Sequence, residues 1–285
     1  MADVTLRPMT LGQVLDTTFS LYKRNFWLFV GITSIPFLVV LILQVGAAAL
    51  QTGAFGRPSP QPGPPAVASG VVAGVVVGGI VFLLAYFFLA GAAQAATIFA
   101  VSDLYLGRTA TVRGSFRRVS GKAFRVILVL ILVSLTVGVG FLLLIIPGII
   151  LLCRTAVAVP ASMLEDTKAV GSIERSMQLT KGFAMQVLLV FLLVWVLSYI
   201  ALLIFQVPFT YLEGAAVQAR QTLSFGMIAL QHLSSFLSNV LVGPIHTIAF
   251  SLMYYNLRVR KEAFDIQHLM NSLPASPSQG AAATT

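Results

Sequence analysis

Charged residues are scarce in this sequence. They make up only 9% of its 285 residues, against about 25% in soluble globular domains. Hydrophobic residues make up 58%, and the mean hydropathy is +0.93. This composition excludes a soluble domain and a disordered chain, because neither carries so much apolar surface. It predicts an integral membrane protein.

Cysteine and histidine are also scarce. The single cysteine, Cys153, excludes an intramolecular disulfide framework and a cysteine-cluster metal site. The three histidines, His232, His246 and His268, are too scattered to suggest a metal site. The sequence has no glycine-rich nucleotide loop and no nucleophile–base pair at close spacing. We therefore expect no metal, no cofactor and no enzymatic activity, and a site assembled from distant positions is the remaining alternative.

Basic residues outnumber acidic residues by 18 to 9, and the isoelectric point is about 10.1. In a soluble protein this balance would suggest a nucleic-acid partner. Here the basic residues have a membrane explanation, because the cytoplasmic loops of membrane proteins are rich in Lys and Arg. We therefore expect no nucleic-acid partner.

Six apolar segments are long enough to cross a membrane as helices. They cover residues 26–50, 68–101, 124–146, 149–164, 184–208 and 228–257. The fourth is short and follows Pro147 and Gly148, which predicts a tight hairpin with the third, and Pro244 predicts a kink in the sixth. The predicted fold is an all-α polytopic bundle of six transmembrane spans, with short amphipathic helices on the cytoplasmic side.

The basic residues also predict an orientation. Fifteen of the 18 fall on the side of the two termini, Arg57 and Arg220 fall on the other side, and Arg154 lies within a span. By the positive-inside rule, both termini are expected in the cytoplasm.

An internal repeat relates residues 115–134 to residues 176–195 at an offset of 61 positions. Eight of the 20 aligned positions match, among them a serine, a glycine and an alanine, and the same offset carries Pro147 onto Pro208. A weaker copy begins at Phe19. Each copy consists of an amphipathic basic segment followed by a pair of spans.

We interpret residues 1–270 as one membrane domain of three such units, followed by a disordered tail at 271–285. The units lie near residues 10–101, 109–164 and 169–257, and their amphipathic segments near residues 10–24, 109–121 and 169–181. We expect each segment on the membrane surface, with its apolar side towards lipid and its basic side towards anionic headgroups. The alternative is that any cytoplasmic loop before a span looks basic and mixed.

Five motifs distributed over the chain resemble those of one bacterial membrane family. They are RPMTLGQVLD at 7–16, IPGI at 146–149 with Arg154, ERS at 174–176, LTKG at 179–182 and YYNLRVRKE at 254–262. The family is the membrane domain associated with glycerophosphoryl diester phosphodiesterases, which has many stand-alone relatives. Asn256 departs from the closing motif, where an acidic residue is expected, and this weakens a charge role there.

The resemblance implies a non-enzymatic protein of the bacterial inner membrane. The sequence contains no counterpart of the soluble barrel that hydrolyses glycerophosphodiesters in fused members, so we do not expect that activity. The expected role is a lipid-associated membrane module or scaffold. Its expected partners are membrane lipids, through anionic headgroups on the cytoplasmic face, and a membrane protein. The alternative is a transporter or permease for a small or lipid-like anionic solute.

Arg154 is the first candidate site residue. An ionisable residue within a span costs about 2.5–3.5 kcal/mol on insertion scales and therefore marks a candidate site. Its planar guanidinium is suited to a lipid phosphate or another anion. The structural alternatives are hydrogen bonds to carbonyl groups at the Pro147–Gly148 turn, an ion pair with Glu213, or extension of the side chain towards the membrane surface.

A polar stripe in the sixth span is the second candidate site. It consists of Gln231, Ser235, Ser238, Asn239 and His246, which steps of three and four place on roughly one helical face. In one interpretation, the stripe lines a polar path or binds a headgroup. In the other, which we favour, it supplies hydrogen bonds between helices.

Three glycines, Gly70, Gly74 and Gly78, recur at every fourth position of the second span. This spacing allows close approach of another helix backbone. We expect the partner helix within the chain rather than in a second subunit.

Overall fold

The computed structural model describes residues 8–51, 65–218 and 224–262. Within these ranges the chain forms ten α-helices and no strand. The helices are α1 (Leu11–Arg24), α2 (Phe26–Gln51), α3 (Pro65–Tyr105), α4 (Val112–Val119), α5 (Ala123–Leu143), α6 (Ile145–Thr155), α7 (Ala158–Leu164), α8 (Ala169–Thr180), α9 (Ala184–Gln218) and α10 (Phe225–Glu262).

Six regions of the described chain are long and apolar enough to cross a membrane, which confirms the predicted all-α bundle of six spans. They are Phe26–Ala49, Val76–Tyr105, Ala123–Leu143, Ile145–Leu164, Ala184–Ala216 and Phe225–Glu262. The fourth comprises two helices, α6 and α7, with a break between Thr155 and Ala158. Large apolar side chains such as Leu84 and Leu142 are exposed on the long helices, as on surfaces that face lipid.

The short helices α1, α4 and α8 lie at one end of the bundle, which we call the charged end. There α1 contacts α10, α4 contacts α3, and α8 contacts α7. The backbone N–H of Met9, just before α1, donates to Oδ1 of Asn256 near the end of α10 at 2.8 Å. The charged end therefore comprises the three short helices and the C-terminal ends of α3, α7 and α10.

A buried hydroxyl group lies eight residues before the start of each of α2, α5 and α9. These groups belong to Thr18, Ser115 and Ser176, which are 1%, 2% and 0% exposed. Three repeated units would place equivalent side chains in this way. The division into units itself stays a prediction.

Two of the three connections from a short helix to a long helix contain a glycine in the left-handed region. Gly121 between α4 and α5 has a φ of +85°, and Gly182 between α8 and α9 has a φ of +88°. Residues with a Cβ rarely adopt this conformation, so the glycines end the short helices and redirect the chain. They are also the glycines that the repeat aligns.

The short helices direct apolar side chains towards the bundle. Val14 in α1, Val119 in α4 and Leu179 in α8 are all buried and belong to the two hydrophobic clusters of the core. The predicted contact of the apolar faces with lipid is therefore wrong for these residues, because the ends of the long helices cover them. Arg113 and Arg117 of α4 are exposed.

The predicted hairpin of the third and fourth spans is formed by α5 and α6. A single extended residue, Leu144, separates the two helices. A Cβ atom built on Gly140 would lie 2.9 Å from the Cα of Gly148, so the two backbones are in direct contact. Pro147 lies in the first turn of α6, where its missing N–H removes no helical hydrogen bond.

Pro244 lies inside α10 and leaves the carbonyl of Val240 without its helical donor. The Thr33 hydroxyl of α2 lies 2.9 Å from the Phe29 carbonyl of its own helix and 3.3 Å from this carbonyl, to which it can also donate. The Tyr22 hydroxyl of α1 donates to the next carbonyl, that of Leu241, at 2.7 Å. Helices α1 and α2 therefore supply donors to the carbonyl groups around the proline of α10, as membrane helices with an internal proline require.

The predicted packing of the glycine stripe within the chain is wrong for two of its members. Gly74 and Gly78 of α3 are exposed, and a Cβ atom on either would meet no atom within 4 Å. The surroundings of Gly70 lie outside the described residues. The N-terminal half of α3 extends beyond the core, while its C-terminal half, from Ala93 to Val101, is largely buried.

Candidate functional site

Asp103, at the end of α3, pairs with two arginines of the charged end. Nη1 of Arg118 in α4 donates to both carboxylate oxygens at 2.8 Å. Nη1 of Arg108 lies 3.9 Å from the same carboxylate and is 62% exposed. One carboxylate is therefore shared by two cations.

Asp166, just after α7, is shared in the same way. Its Oδ1 lies 2.5 Å from Nζ of Lys122 and 2.9 Å from Nη1 of Arg125. The hydrogen bond from Lys122, and after it the bond from Arg125, lowers the pKa of the Asp166 carboxyl below its ordinary value. Its backbone has a φ of +54°, a conformation that Asp tolerates better than most residues.

A second network joins α7, α8 and α10. Glu165 at the end of α7 accepts hydrogen bonds from Arg175 of α8, at 2.8 and 3.1 Å, and from the Tyr254 hydroxyl of α10, at 2.8 Å. Arg258 lies 3.6 Å from Glu165 and 3.0 Å from Glu262. These partly buried pairs hold the ends of three helices together, and breaking one would leave a charge without its partner.

Arg175 also pairs with Glu262. Burial lowers the pKa of the Arg175 guanidinium, but its hydrogen bonds to Glu165 and Glu262 outweigh burial and raise the pKa overall. The residue is therefore cationic at every physiological pH.

A groove of about 530 Å³ opens between α3, α4, α7 and α10 at the charged end. We call it the basic groove. Its charged lining residues are the cations Arg108, Arg118, Lys122 and Arg258 and the carboxylate Asp166. Its volume lies within the range of small-molecule sites, about 300–1,000 Å³.

The apolar wall of the basic groove positions two of its cations. The guanidinium of Arg118 lies 4.5 Å from the ring centre of Phe99, and Nζ of Lys122 lies 5.6 Å from it. A cation within about 6 Å of an aromatic face is attracted to it. The Tyr255 hydroxyl closes the opposite wall by donating to Oγ of Ser102 at 2.8 Å.

The charges around the groove do not balance. Among the described residues, the two networks contain six cations, namely Arg108, Arg118, Lys122, Arg125, Arg175 and Arg258, and four carboxylates, namely Asp103, Glu165, Asp166 and Glu262. An anion in the groove would reduce this excess of two positive charges. Arginine and lysine side chains around one cavity are suited to a phosphate group.

Arg154 lies apart from the basic groove, at the end of α6. Its carbonyl accepts hydrogen bonds from Oγ of Ser176 at 2.7 Å and Oγ1 of Thr180 at 3.3 Å. Its side chain is half-buried and makes no hydrogen bond or ion pair within the described part of the chain. The alternative of a bond to the Pro147–Gly148 turn is therefore wrong. The Glu213 side chain lies outside the described residues, and the role of Arg154 in anion binding stays a prediction.

Two members of the polar stripe of α10 contact α9. Nε2 of Gln206 in α9 donates to Oγ of Ser235 at 2.7 Å. The ring centre of His246 lies 6.3 Å from that of Phe191 in α9 and 4.7 Å from that of Phe250 in its own helix. Asn239 donates to the carbonyl of Ser235 at 2.7 Å within α10. Gln231 and Ser238 make no hydrogen bond within the described ranges.

The structure brings together several residues that sequence reasoning did not select. Glu165 and Asp166 are adjacent in the chain but far in sequence from the groove cations. The closing motif contains part of the signal, because it places Tyr254, Tyr255 and Arg258 in one helical turn. Asn256, where this motif departs from the family pattern, is buried, and its Oδ1 accepts the backbone N–H of Met9.

Comparison with known protein families, curated proteins and solved structures gives no match to this chain. The resemblance to the phosphodiesterase-associated membrane domain therefore stays a prediction. Among the described residues, no cluster of three His, Cys, Asp or Glu side chains is placed to hold a metal ion.

Proposed function

We propose that this protein is a non-enzymatic membrane module that binds an anionic lipid headgroup in the basic groove. The observation that carries the proposal is the shared pairing in the groove, where four cations surround a cavity that contains one carboxylate. Asp103 and Asp166 are each shared by two cations. A phosphodiester group supplies further acceptors for cations that share a carboxylate.

The location of the groove favours a lipid over a soluble ligand. It lies at the charged end, where six apolar spans end and where a membrane surface would place its headgroups. We propose that this end faces the cytoplasm of a bacterium, from the inner membrane, because the 15 basic residues on this side follow the positive-inside rule.

Native mass spectrometry of the protein released from nanodiscs tests the proposal. The nanodiscs contain phosphatidylglycerol and phosphatidylcholine in equal amounts. We expect wild-type protein to retain phosphatidylglycerol, and Arg108→Gln combined with Arg118→Gln to retain at least about tenfold less, since hydrogen bonds to charged groups contribute about 1.5–3 kcal/mol.

Arg113→Gln combined with Arg117→Gln is the matched control. Both residues lie exposed on α4, outside the groove lining, and their loss changes the net charge by the same amount. Equal retention by the two double variants would reject the groove as the site. Full displacement of the lipid by millimolar glycerol phosphate would identify a soluble phosphate as the ligand. Lipid retention by Arg154→Ala, measured in the same experiment, tests separately whether Arg154 binds an anion.

The transporter alternative receives less support. A permease needs polar groups that line a path across the bundle. In the described residues the stripe of α10 contacts α9 instead, with Ser235 bonded to Gln206 and His246 beside the rings of Phe191 and Phe250. These contacts agree better with hydrogen bonding and packing between helices.

A further inference from the structure

A second groove lies within the apolar part of the bundle, between α2, α3 and α10. Its volume is about 230 Å³. Its apolar walls include Phe37, Phe82 and Phe236. Its polar lining residues are Gln44, Tyr86, Ser235 and Asn239. We call it the polar groove.

Two polar side chains that line the polar groove make no hydrogen bond within the described residues. The amide of Gln44 and the hydroxyl of Tyr86 are half-buried and make no hydrogen bond to another residue in the described ranges. Ser235 and Asn239 are already bonded, to Gln206 and to the Ser235 carbonyl. Unpaired polar groups are costly in hydrocarbon, so the groove needs an acceptor from outside the chain.

The depth of the polar groove indicates which acceptor is available. Gln44 and Tyr86 lie 18 and 19 residues from the charged ends of α2 and α3, and Asn239 lies 23 residues from the charged end of α10. At about 1.5 Å per residue these separations are roughly 27–35 Å. The hydrocarbon core of a bilayer is about 30 Å thick. The groove therefore reaches the opposite boundary of the hydrocarbon, where glycerolipids carry their ester carbonyl groups.

We infer that the polar groove binds the ester carbonyl of a lipid from the leaflet opposite the charged end. Gln44 and Tyr86 donate to the carbonyl oxygen, and the acyl segment next to it lies against the phenylalanine rings. The volume is below the range of about 300–1,000 Å³ for whole small-molecule ligands, so it admits one part of a lipid. This site is independent of the basic groove.

Competition between diester and diether phosphatidylglycerol tests the inference. The two lipids have the same headgroup and chains, but the diether lacks carbonyl groups. In equimolar nanodiscs, native mass spectrometry should show that wild-type protein retains about two- to tenfold more diester than diether lipid, as expected for one or two hydrogen bonds. Gln44→Leu and Tyr86→Phe should each bring the ratio towards one.

Gln231→Leu is the matched control, because it makes the same substitution in α10 outside the groove lining. It should keep the wild-type ratio. A wild-type ratio of one, or a ratio unchanged in both groove variants, would overturn the inference and point to water as the partner. A dimer that Gln44→Leu dissociates would also overturn it, by placing a second copy in the groove.

The ratio separates this inference from the proposed function. Loss of headgroup binding in the basic groove lowers retention of both lipids equally and leaves the ratio unchanged. Loss of carbonyl binding changes the ratio.

Discussion

Gly140 and Gly148 bring α5 and α6 into backbone contact, and neither position has room for a side chain. A Cβ on Gly148 would lie 2.5 Å from the ring of Phe141, and a Cβ on Gly140 would lie 2.8 Å from Leu151. Sequence reasoning selects the glycine beside Pro147, because such a pair predicts a turn. It does not select Gly140, which lies three residues before the end of an apolar helix.

We expect Gly140→Ala to lower the free energy of unfolding by about 1–3 kcal/mol, the usual cost of overpacking. The methyl group would meet the backbone of Gly148, which cannot move aside without separating the helices. Unfolding in mixed micelles, followed by tryptophan fluorescence, measures the change. Gly138→Ala is the control, because a Cβ there meets no atom within 4 Å. Equal stability of the two variants would contradict close packing at Gly140.

Arg154 and Asp166 mark the limit of sequence reasoning about single charges. Arg154 is evident because apolar residues surround it. Asp166 lies in an ordinary loop, and its partners Lys122 and Arg125 precede it by about 40 residues. No local pattern predicts these pairs, because they depend on how α4, α5 and α7 pack.

The helices themselves follow more directly from the sequence. Runs of apolar residues predict the long helices, since in lipid only a helix satisfies its own backbone groups over such a length. The break between α6 and α7 is not predicted. Side chains of α8 support it, because Oγ of Ser176 accepts the N–H of Val157 at 3.2 Å and donates to the carbonyl of Arg154. Such a contact depends on tertiary packing.

The proline inside α10 offers a test at the scale of an element. Thr33→Val should lower stability by about 0.5–1.5 kcal/mol, because the carbonyl of Val240 loses its donor from α2. In a Pro244→Ala background the restored backbone N–H of residue 244 donates to this carbonyl. Thr33→Val should then lower stability by much less. A double-mutant cycle measures the difference.

Thr136→Val is the control for this cycle. Its hydroxyl also bonds a carbonyl in its own helix, at 2.8 Å to Leu132, but it lies far from α10. The loss of stability caused by Thr136→Val should be the same with Pro244 as with Ala at position 244. If Thr33→Val lowers stability by the same amount with Pro244 and with Ala at position 244, the hydrogen bond from Thr33 to the carbonyl of Val240 is contradicted.

For the whole molecule, hydropathy predicts the six spans, and charge predicts which loops share a side. The grooves are not predictable in this way. The basic groove takes its lining from α3, α4, α7 and α10, and the polar groove takes Gln44 from α2 and Tyr86 from α3. Each helix contributes only one to four residues, which no periodic pattern distinguishes from other helix ends or packing positions.

The orientation of the whole molecule is the last testable prediction. In a Cys153→Ala background, which removes the only thiol, single cysteines replace Arg113, Gln178 or Gln218, all exposed. Arg113 and Gln178 lie on short helices of the charged end, and Gln218 lies at the far end of α9. A membrane-impermeant maleimide applied to intact spheroplasts should label Gln218→Cys alone, and permeabilised cells should show labelling of all three.

Because the positive-inside rule acts on the charged end as a whole, Arg113→Cys and Gln178→Cys should show the same labelling in each preparation. Labelling of both Arg113→Cys and Gln178→Cys in intact spheroplasts would show the opposite orientation, with the basic groove on the outer face.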